Sequence, residues 1–262
     1  MKVLVFGDGW LGNRIARDFD GELSCADIRS LDVERVVRRV APNVVVNAAA
    51  LCPTVEWCEQ PENKWKVGDV NSLGPNLLQC AVQRIRPKTQ FVHLSTGCLW
   101  ETGKDLTEKD IPMPPTWYAT TKVMGENSLN LKKALVVRLR MPVDDRPHPR
   151  NLIDKLVKYE ELLKLQNSIT VVPDFLLALR QMLEKGCTGV YNMVNPGSIS
   201  AYEIVEMYSE MVDQCHSFRV ADEEMAAGRA NLTLSTAKLK AEGIELTDVR
   251  ERVRECIQEY VG

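Results

Sequence analysis

Lys2-Val3-Leu4-Val5-Phe6, followed at once by Gly7-Asp8-Gly9-Trp10-Leu11-Gly12, leaves this chain few folds to choose from. The short apolar run, rich in β-branched residues, reads as a buried strand, and Leu11, Ile15 and Phe19 then recur at helical spacing. A strand, a tight glycine turn and a helix start form the context in which G-x-G-x-x-G holds a dinucleotide. Gly7 permits the turn, Gly9 lets the backbone approach a pyrophosphate, and Gly12 allows close packing of helix on strand. Trp10 and Leu11 open the helix, whose free N–H groups and positive dipole end suit phosphates.

The rest of the chain continues in the same alternating style. Glu22–Cys25 reads as a short second strand, Val33–Val40 as a helix, and Val44–Asn47 as a buried strand running into Ala48-Ala49-Ala50. Small residues there are expected where backbone meets a flat ring or ribose. Asn71–Arg84 reads as a helix with Leu73, Leu77, Leu78 and Ala81 on one face. Phe91–Leu94 is the next strand, Trp117–Leu129 the next helix and Leu135–Leu139 a further strand. This succession predicts an α/β fold, a Rossmann-type doubly wound parallel sheet whose ligands lie beyond the strands' carboxyl ends. A dinucleotide-binding domain over 1–142 and a smaller substrate-binding lobe over 143–262, partly interleaved with the sheet, follow from this. In that lobe Leu156–Leu165 and Phe175–Leu183 read as helices, and Ser168–Val172 and Thr188–Asn192 as strands. Ala221–Ala230 reads as a surface helix and loop, and Lys238–Gly243 and Val249–Tyr260 as closing helices.

Composition narrows the class of partner. The 262 residues carry a net charge of −3, which argues against a nucleic acid or an anionic membrane surface. No apolar run approaches the roughly 20 residues that span a bilayer. The opening apolar stretch is broken by glycines too early for a signal peptide, so a cytoplasmic protein is expected. The 8 cysteines show no C-x-x-C and no pairing with the 3 histidines, so no metal site is expected and free thiols are.

Tyr118-Ala119-Thr120-Thr121-Lys122 adds chemistry. Residues four apart share one face of a helix. A free phenol, with a pKa of roughly 10, is a poor proton donor at neutral pH, and a neighbouring ammonium lowers that value. The pair suits carbonyl–alcohol redox chemistry beside a hydride source. Thr96 and Cys98 follow the Phe91–Leu94 strand, and on an extended chain their side chains point to the same side. His93, on a strand that reads as buried, is expected in the core.

With these residues assembled, the chain resembles the extended short-chain dehydrogenase/reductases, and within them the dTDP-4-dehydrorhamnose reductase group. The likeness rests on Val46–Ala50, Asn71–Leu78, Leu94-Ser95-Thr96-Gly97 and Tyr118…Lys122. Further motifs occur in order: Trp57-Cys58-Glu59, Arg138–Pro142, Pro149–Lys155, Tyr191–Gly197, Glu203–Tyr208 and Ala237–Lys240. That series is similar to the bifunctional nucleotide-sugar 3,5-epimerase/4-reductases that make UDP-L-rhamnose from UDP-4-keto-6-deoxyglucose.

The resemblance implies Tyr118 as proton donor to the C4 oxygen, Lys122 as its tuner and ribose ligand, and Thr96 as a hydroxyl on the same carbonyl. It implies Cys98 and Lys155 as the acid/base pair for epimerisation, for which inert packing and a surface lysine are the plain alternatives. Arg150 and Asn151 are candidate substrate contacts, with a helix-cap role as the alternative. Asp27, Ile28, Arg29, Ala48, Ala49, Ala50, Asn71 and Met141 join Gly7, Gly9, Trp10, Leu11 and Gly12 as candidate cofactor contacts. Relatives often dimerise through helices equivalent to Asn71–Arg84 and Trp117–Leu129, so the resemblance leaves a homodimer open.

Two departures bear on the cofactor. The group commonly spaces its first glycines as G-x-x-G-x-x-G, whereas here Gly7 and Gly9 are one residue closer. Asp27 follows Gly12 by fewer than the roughly 20 residues expected of an acidic ribose ligand. That leaves Ser24, Cys25 or Arg29 near the ribose 2′ position, where Arg29 can pair with a 2′-phosphate; it is mainly the resemblance that favours NADP(H), and NAD(H) stays open. Three functions stay open at this point: the bifunctional enzyme, a 4-reductase alone, and a non-catalytic dinucleotide-binding regulatory subunit.

Overall fold

The first strand, β1 (Val3–Phe6), is wholly buried and pairs in parallel on both sides, with β2 (Glu22–Ser24) and with β3 (Val44–Asn47). Strands covered on both faces read as continuous apolar runs, which is why Val3–Phe6 and Val44–Val46 show no polar alternation. The computed structural model describes residues 1–222 and 229–260. Its main sheet has six strands in the order β2-β1-β3-β4-β6-β8, with β4 at Gln90–Thr96, β6 at Ala134–Leu139 and β8 at Gly189–Met193. The strand order reverses between β1 and β3, and the glycine turn leaves β1 at that switch point.

The chain divides into two compact units. The first comprises 1–99, 112–138 and 183–191, the second 100–111, 139–182 and 192–262.

In the first unit, α1 (Trp10–Asp18), α2 (Asp32–Val40) and α5 (Gly74–Ile85) flank the sheet. Leu4, Phe6, Val33, Val37, Val45, Leu78, Val82 and Phe91 meet in one core. The helix expected over 71–84 begins earlier and is not uniform. Its predecessor α4 (Pro61–Gly68) runs through a π-helical turn at Asp69–Leu73 into α5, and a short α3 (Val55–Glu59) precedes both. After the π turn, α5 buries Pro75, Leu78, Gln79 and Val82 at ordinary helical spacing, while Leu73 and Leu77 are 58% and 47% exposed. Of the face expected over Leu73, Leu77, Leu78 and Ala81, Leu78 and Ala81 meet the core and Leu73 and Leu77 do not.

The second unit has its own core of Val143, Ile153, Leu162, Ile169, Val171, Ile204, Val205, Val253 and Ile257. Two expectations fail here. The helix at 156–165 is absent: α7 spans only Leu152–Leu156, and Glu161–Leu162 form β7 in parallel with β9 (Arg219–Val220). Polar Lys158, Tyr159 and Glu160 stay exposed there, while Leu162 is buried and Glu161 pairs with Arg219. Ser168–Val172 is held by isolated bridges at Asn167 and Val171, not as a strand, and Val172 already starts α8 (Val172–Lys185). A parallel pair, β5 (Thr102–Leu106) with β10 (Asn231–Leu234), carries no clear signal in sequence because its alternation is so short. Helices α9 (Ala201–Met211), α10 (Ala237–Ala241) and α11 (Val249–Glu259) complete the unit. Within the helix and loop expected over 221–230, residues 223–228 lie outside the described residues.

Candidate active site

Helix α6 (Trp117–Ser128) is fixed at its start by several independent bonds. The Thr116 hydroxyl accepts from the Ala119 N–H at 3.1 Å, Glu59 accepts from the Trp117 N–H at 2.5 Å, and the Trp117 indole donates to the Lys64 carbonyl at 2.9 Å. Further along, a Cβ on Gly125 would sit 2.3 Å from the Asn71 carbonyl oxygen, so only glycine allows this approach of α6 to the π turn. These constraints set the one-turn spacing of Tyr118, half-buried, and Lys122, 2% exposed.

Lys122 Nζ donates to the Leu94 carbonyl at 2.8 Å and lies 3.5 Å from His93 Nε2. Burial pulls its pKa down to about 8, against the opposing pull of Glu126 and Cys52. His93, a core residue as expected, is held well below the ordinary histidine range by burial and then by the Lys122 charge. Its Nδ1 meets Asn47 Nδ2 at 3.1 Å.

Thr96 ends β4, and its Oγ1 accepts from the Cys98 N–H at 3.1 Å. The chain therefore curls at Gly97, and the extended path that aligned the Thr96 and Cys98 side chains is corrected by this hydroxyl-to-backbone turn. The Thr96 hydroxyl still has its own proton to donate.

The glycine turn fits a dinucleotide pyrophosphate. Gly7 has φ +102°, and a Cβ on Gly12 would stand 1.9 Å from the Gly7 carbonyl oxygen. A Cβ on Gly9 would meet nothing within 4 Å, so the backbone there is open. Asn13 Nδ2 braces the turn through the Asp8 and Gly9 carbonyls at 2.6 and 3.0 Å. Gly9 caps α1, whose first turn carries no acidic residue to compete with a phosphate. Trp10, Leu11, Ala48 and Ala49 are half-buried around this turn, and Ala50 is exposed.

Other candidates are occupied elsewhere. Ile28 is 3% exposed and packs in the core at the spot where a Gly74 Cβ would fall, so its side chain is no adenine contact. Asn71 is fully buried; it accepts from the Leu51 N–H at 2.8 Å and donates to the Leu51 carbonyl and to Thr121 Oγ1. It braces the loop after β3 and does not face a cofactor. Arg29 bonds both oxygens of Asp27, at 2.9 and 2.6 Å, and also Asp69. That pairing lowers the Asp27 pKa and leaves part of the guanidinium's five donors for a phosphate.

Met141, Arg150, Asn151 and Lys155 belong to the second unit. Met141 holds a strained φ of +42°. Arg150 and Lys155 are exposed. Asn151 is fully buried and caps α7, accepting from Ile153 N–H and donating to the Asp144 and Arg146 carbonyls, so its amide is committed to the fold. The same unit has an open cavity of about 800 Å³ lined by Thr102, Lys104, Gln166, Ser198, Thr233 and Thr236 among others, and the ends of the motifs Tyr191–Gly197 and Ala237–Lys240 reach it through Pro196, Gly197 and Ala237. Among the described residues no cluster could hold a metal ion, and no helix is long and apolar enough to cross a membrane.

Sequence reasoning missed the supports of Lys122: Asn47, the polar role of His93, and Glu126 with Arg138. The one available signal was a lone histidine inside an otherwise apolar strand.

A Rossmann-type parallel sheet, a glycine turn at its switch point and a Tyr-x-x-x-Lys helix define an extended short-chain dehydrogenase/reductase. The profile of the RmlD substrate binding domain matches residues 1–261, and the chain belongs to that family. It is 30% identical over 95% of its length to a bifunctional dTDP-4-dehydrorhamnose 3,5-epimerase/dTDP-4-dehydrorhamnose reductase of Arabidopsis thaliana, covering 90% of that protein. Trifunctional Arabidopsis relatives with dehydratase, epimerase and reductase functions are 28% or 29% identical, and the chain spans only 41% or 42% of their length. Its fold matches the UDP-rhamnose synthase of Acanthamoeba polyphaga mimivirus with a TM-score of 0.89, at 23% identity and 99% coverage of both chains. It also matches a dTDP-4-dehydrorhamnose reductase of Bacillus anthracis solved with NADP, with a TM-score of 0.83 at 18% identity and 99% and 98% coverage.

Proposed function

We propose that this protein is a bifunctional nucleotide-sugar 3,5-epimerase/4-reductase, converting UDP-4-keto-6-deoxyglucose to UDP-L-rhamnose with NADP(H) as cofactor. The observation that carries the reading is the Tyr118/Lys122 pair on α6, with Lys122 buried against the Leu94 carbonyl. The Arabidopsis bifunctional relative, similar over nearly the whole chain, supports the choice of reaction. The B. anthracis structure with NADP supports the choice of cofactor.

The turn at Gly7–Gly12 and the N-terminus of α1 would hold the pyrophosphate, Ala48–Ala50 the ring and ribose side, and Arg29 a 2′-phosphate. When bound, the nicotinamide supplies the hydride that reduces C4. Tyr118 donates its phenolic proton to the C4 oxygen, and the Lys122 ammonium stabilises the phenolate left behind. Thr96 donates a hydrogen bond to the same oxygen. Before reduction, Cys98 and Lys155 exchange the protons at C3 and C5, each acting as base or acid, while Tyr118 and Thr96 hold the enolate oxygen.

A reductase without epimerase activity is the second reading. The bond from the Cys98 N–H to Thr96 Oγ1 favours it, because it bends the chain at Gly97 out of the extended path on which the two side chains would share one side. Incubation with UDP-4-keto-6-deoxyglucose and NADPH in D2O, with the product read by NMR, separates the two. Deuterium at C3 and C5 with L-rhamno stereochemistry supports the bifunctional enzyme, and reduced sugar without deuterium leaves the reductase. No turnover with UDP or dTDP sugars leaves a dinucleotide-binding subunit. The exposed apolar side chains of Trp65, Leu73, Leu77 and Met124 on α4, the π turn, α5 and α6 support a homodimer, which light scattering with Leu77→Glu tests.

A further inference from the structure

His93 stands between Asn47 and Lys122, and the hydrogen bonds around it decide where its proton sits. Asn47 is fully buried, and its Oδ1 accepts from the Ala49 N–H at 3.1 Å. That bond fixes the amide's orientation, so Nδ2, a donor, is the atom that faces His93 Nδ1 at 3.1 Å. Nδ1 must therefore accept, and the single proton of the neutral ring falls on Nε2. A ring protonated on both nitrogens would set two donors against each other in a site with no exposure to water. The Nε2–H consequently points at Lys122 Nζ, 3.5 Å away.

An ammonium has three donors and no lone pair, whereas a neutral amine can accept from Nε2–H and still donate to the Leu94 carbonyl. We propose that His93, locked by Asn47 as its Nε2–H tautomer, is a positioning residue that biases Lys122 toward the neutral amine. The other groups facing Lys122 work in the opposite direction: Glu126 from its own helix and Cys52 from the loop after β3 both favour the ammonium. Glu126 is largely spent on Arg138 and Ser95. The outcome is a lysine poised between its two states, able to return a proton to the Tyr118 phenolate after that residue has given its own away. This catalytic consequence rests on the reductase reading; the tautomer and the bias on Lys122 do not.

The test uses the full chain labelled with 15N-histidine and 13Cε-lysine, with Lys122 assigned through Lys122→Met. In the wild type, the His93 15N shifts should show Nε2 protonated and Nδ1 bare across the neutral range. In His93→Phe, the titration midpoint of Lys122 should rise by about one pH unit, with the dinucleotide affinity kept. A proton found on Nδ1, or an unmoved Lys122 midpoint in folded His93→Phe, overturns the proposal. Where the Phe variant does not fold, His93→Leu, which likewise removes the Nε2–H donor, gives the same reading of the Lys122 midpoint. Neither readout involves a sugar, so absent turnover would sink the proposed reaction and leave this inference standing.

Discussion

Arg138 reaches from β6 to α6 and grips the Glu126 carboxylate with two nitrogens, Nη2 at 2.7 Å and Nε at 3.1 and 3.2 Å, one turn beyond Lys122. Their side chains are 5% and 3% exposed, and Ser95 Oγ donates to the same carboxylate at 2.5 Å. Strand and helix are thus joined by a desolvated ion pair just where α6 must hold Lys122. Arg138→Met should lose about 3–5 kcal/mol of stability in urea denaturation, because it strands a buried charge. Adding Glu126→Leu should recover most of that loss. Equal losses in the single and double variants would mean that the pair contributes only packing.

Gly12 and Gly9 should separate fold from ligand. At Gly12 an added Cβ would fall 1.9 Å from a backbone carbonyl, and backbone cannot swing aside as a flexible side chain can. Gly12→Ala is expected to cost roughly 1–3 kcal/mol of stability and to abolish dinucleotide binding. At Gly9 the space is open, so Gly9→Ala should fold with wild-type stability and lose affinity only through the methyl placed against the pyrophosphate. Titration calorimetry with NADPH, beside thermal melts, gives both numbers. Unchanged affinity in Gly9→Ala would remove the phosphate from this turn.

Lys122 carries its function at a cost to the fold. Its pKa near 8 in the native state lies below the 10.5 of an exposed lysine, so the native state binds the proton less tightly than the unfolded chain. The penalty is fully present below about pH 8 and is relieved as pH rises toward 10.5. Lys122→Met should therefore be more stable than wild type at pH 7, on the order of 1–3 kcal/mol, with the gap closing between pH 8 and 10.5. Reduction should collapse in the same variant. A gap that does not change with pH would mean that Lys122 is ionised normally in the fold.

The sequence made some of this site legible and hid the rest for a physical reason. Gly7, Gly12 and the Tyr118/Lys122 pair obey local rules, a turn needing positive φ and a helix bringing i and i+4 together, and local rules can be read from neighbouring letters. Asn47 meets His93 only because β3 and β4 align those two residues in register, and Glu59 caps α6 from a helix far back in the chain. Such pairings exist only after the sheet has formed. Ile28, Asn71 and Asn151 show the converse. Each sits where a ligand contact was expected, and each is buried with the fold's own packing or hydrogen bonds. The π turn at Asp69–Leu73, which no regular helical period announces, ends before α5, and Leu73 on it stays exposed.

Acid should attack the second unit through Glu203. Burial alone would raise the pKa of this carboxylate, yet hydrogen bonds from Arg250, Ser200 and Gln166 overcome that and pull it down to about 2. Glu203 also closes a capping box with Ser200 at the start of α9, each reaching the other's backbone N–H. Because the native value lies below the 4.5 of the unfolded chain, the stabilisation is complete above about pH 4.5. It is lost as pH falls toward 2. Glu203→Gln should lower stability at pH 7 and flatten the decline between pH 4.5 and 2. Urea midpoints for both proteins across that window decide the point. Parallel acid limbs would mean that Glu203 gains nothing from Arg250 and that other carboxylates govern the acid transition.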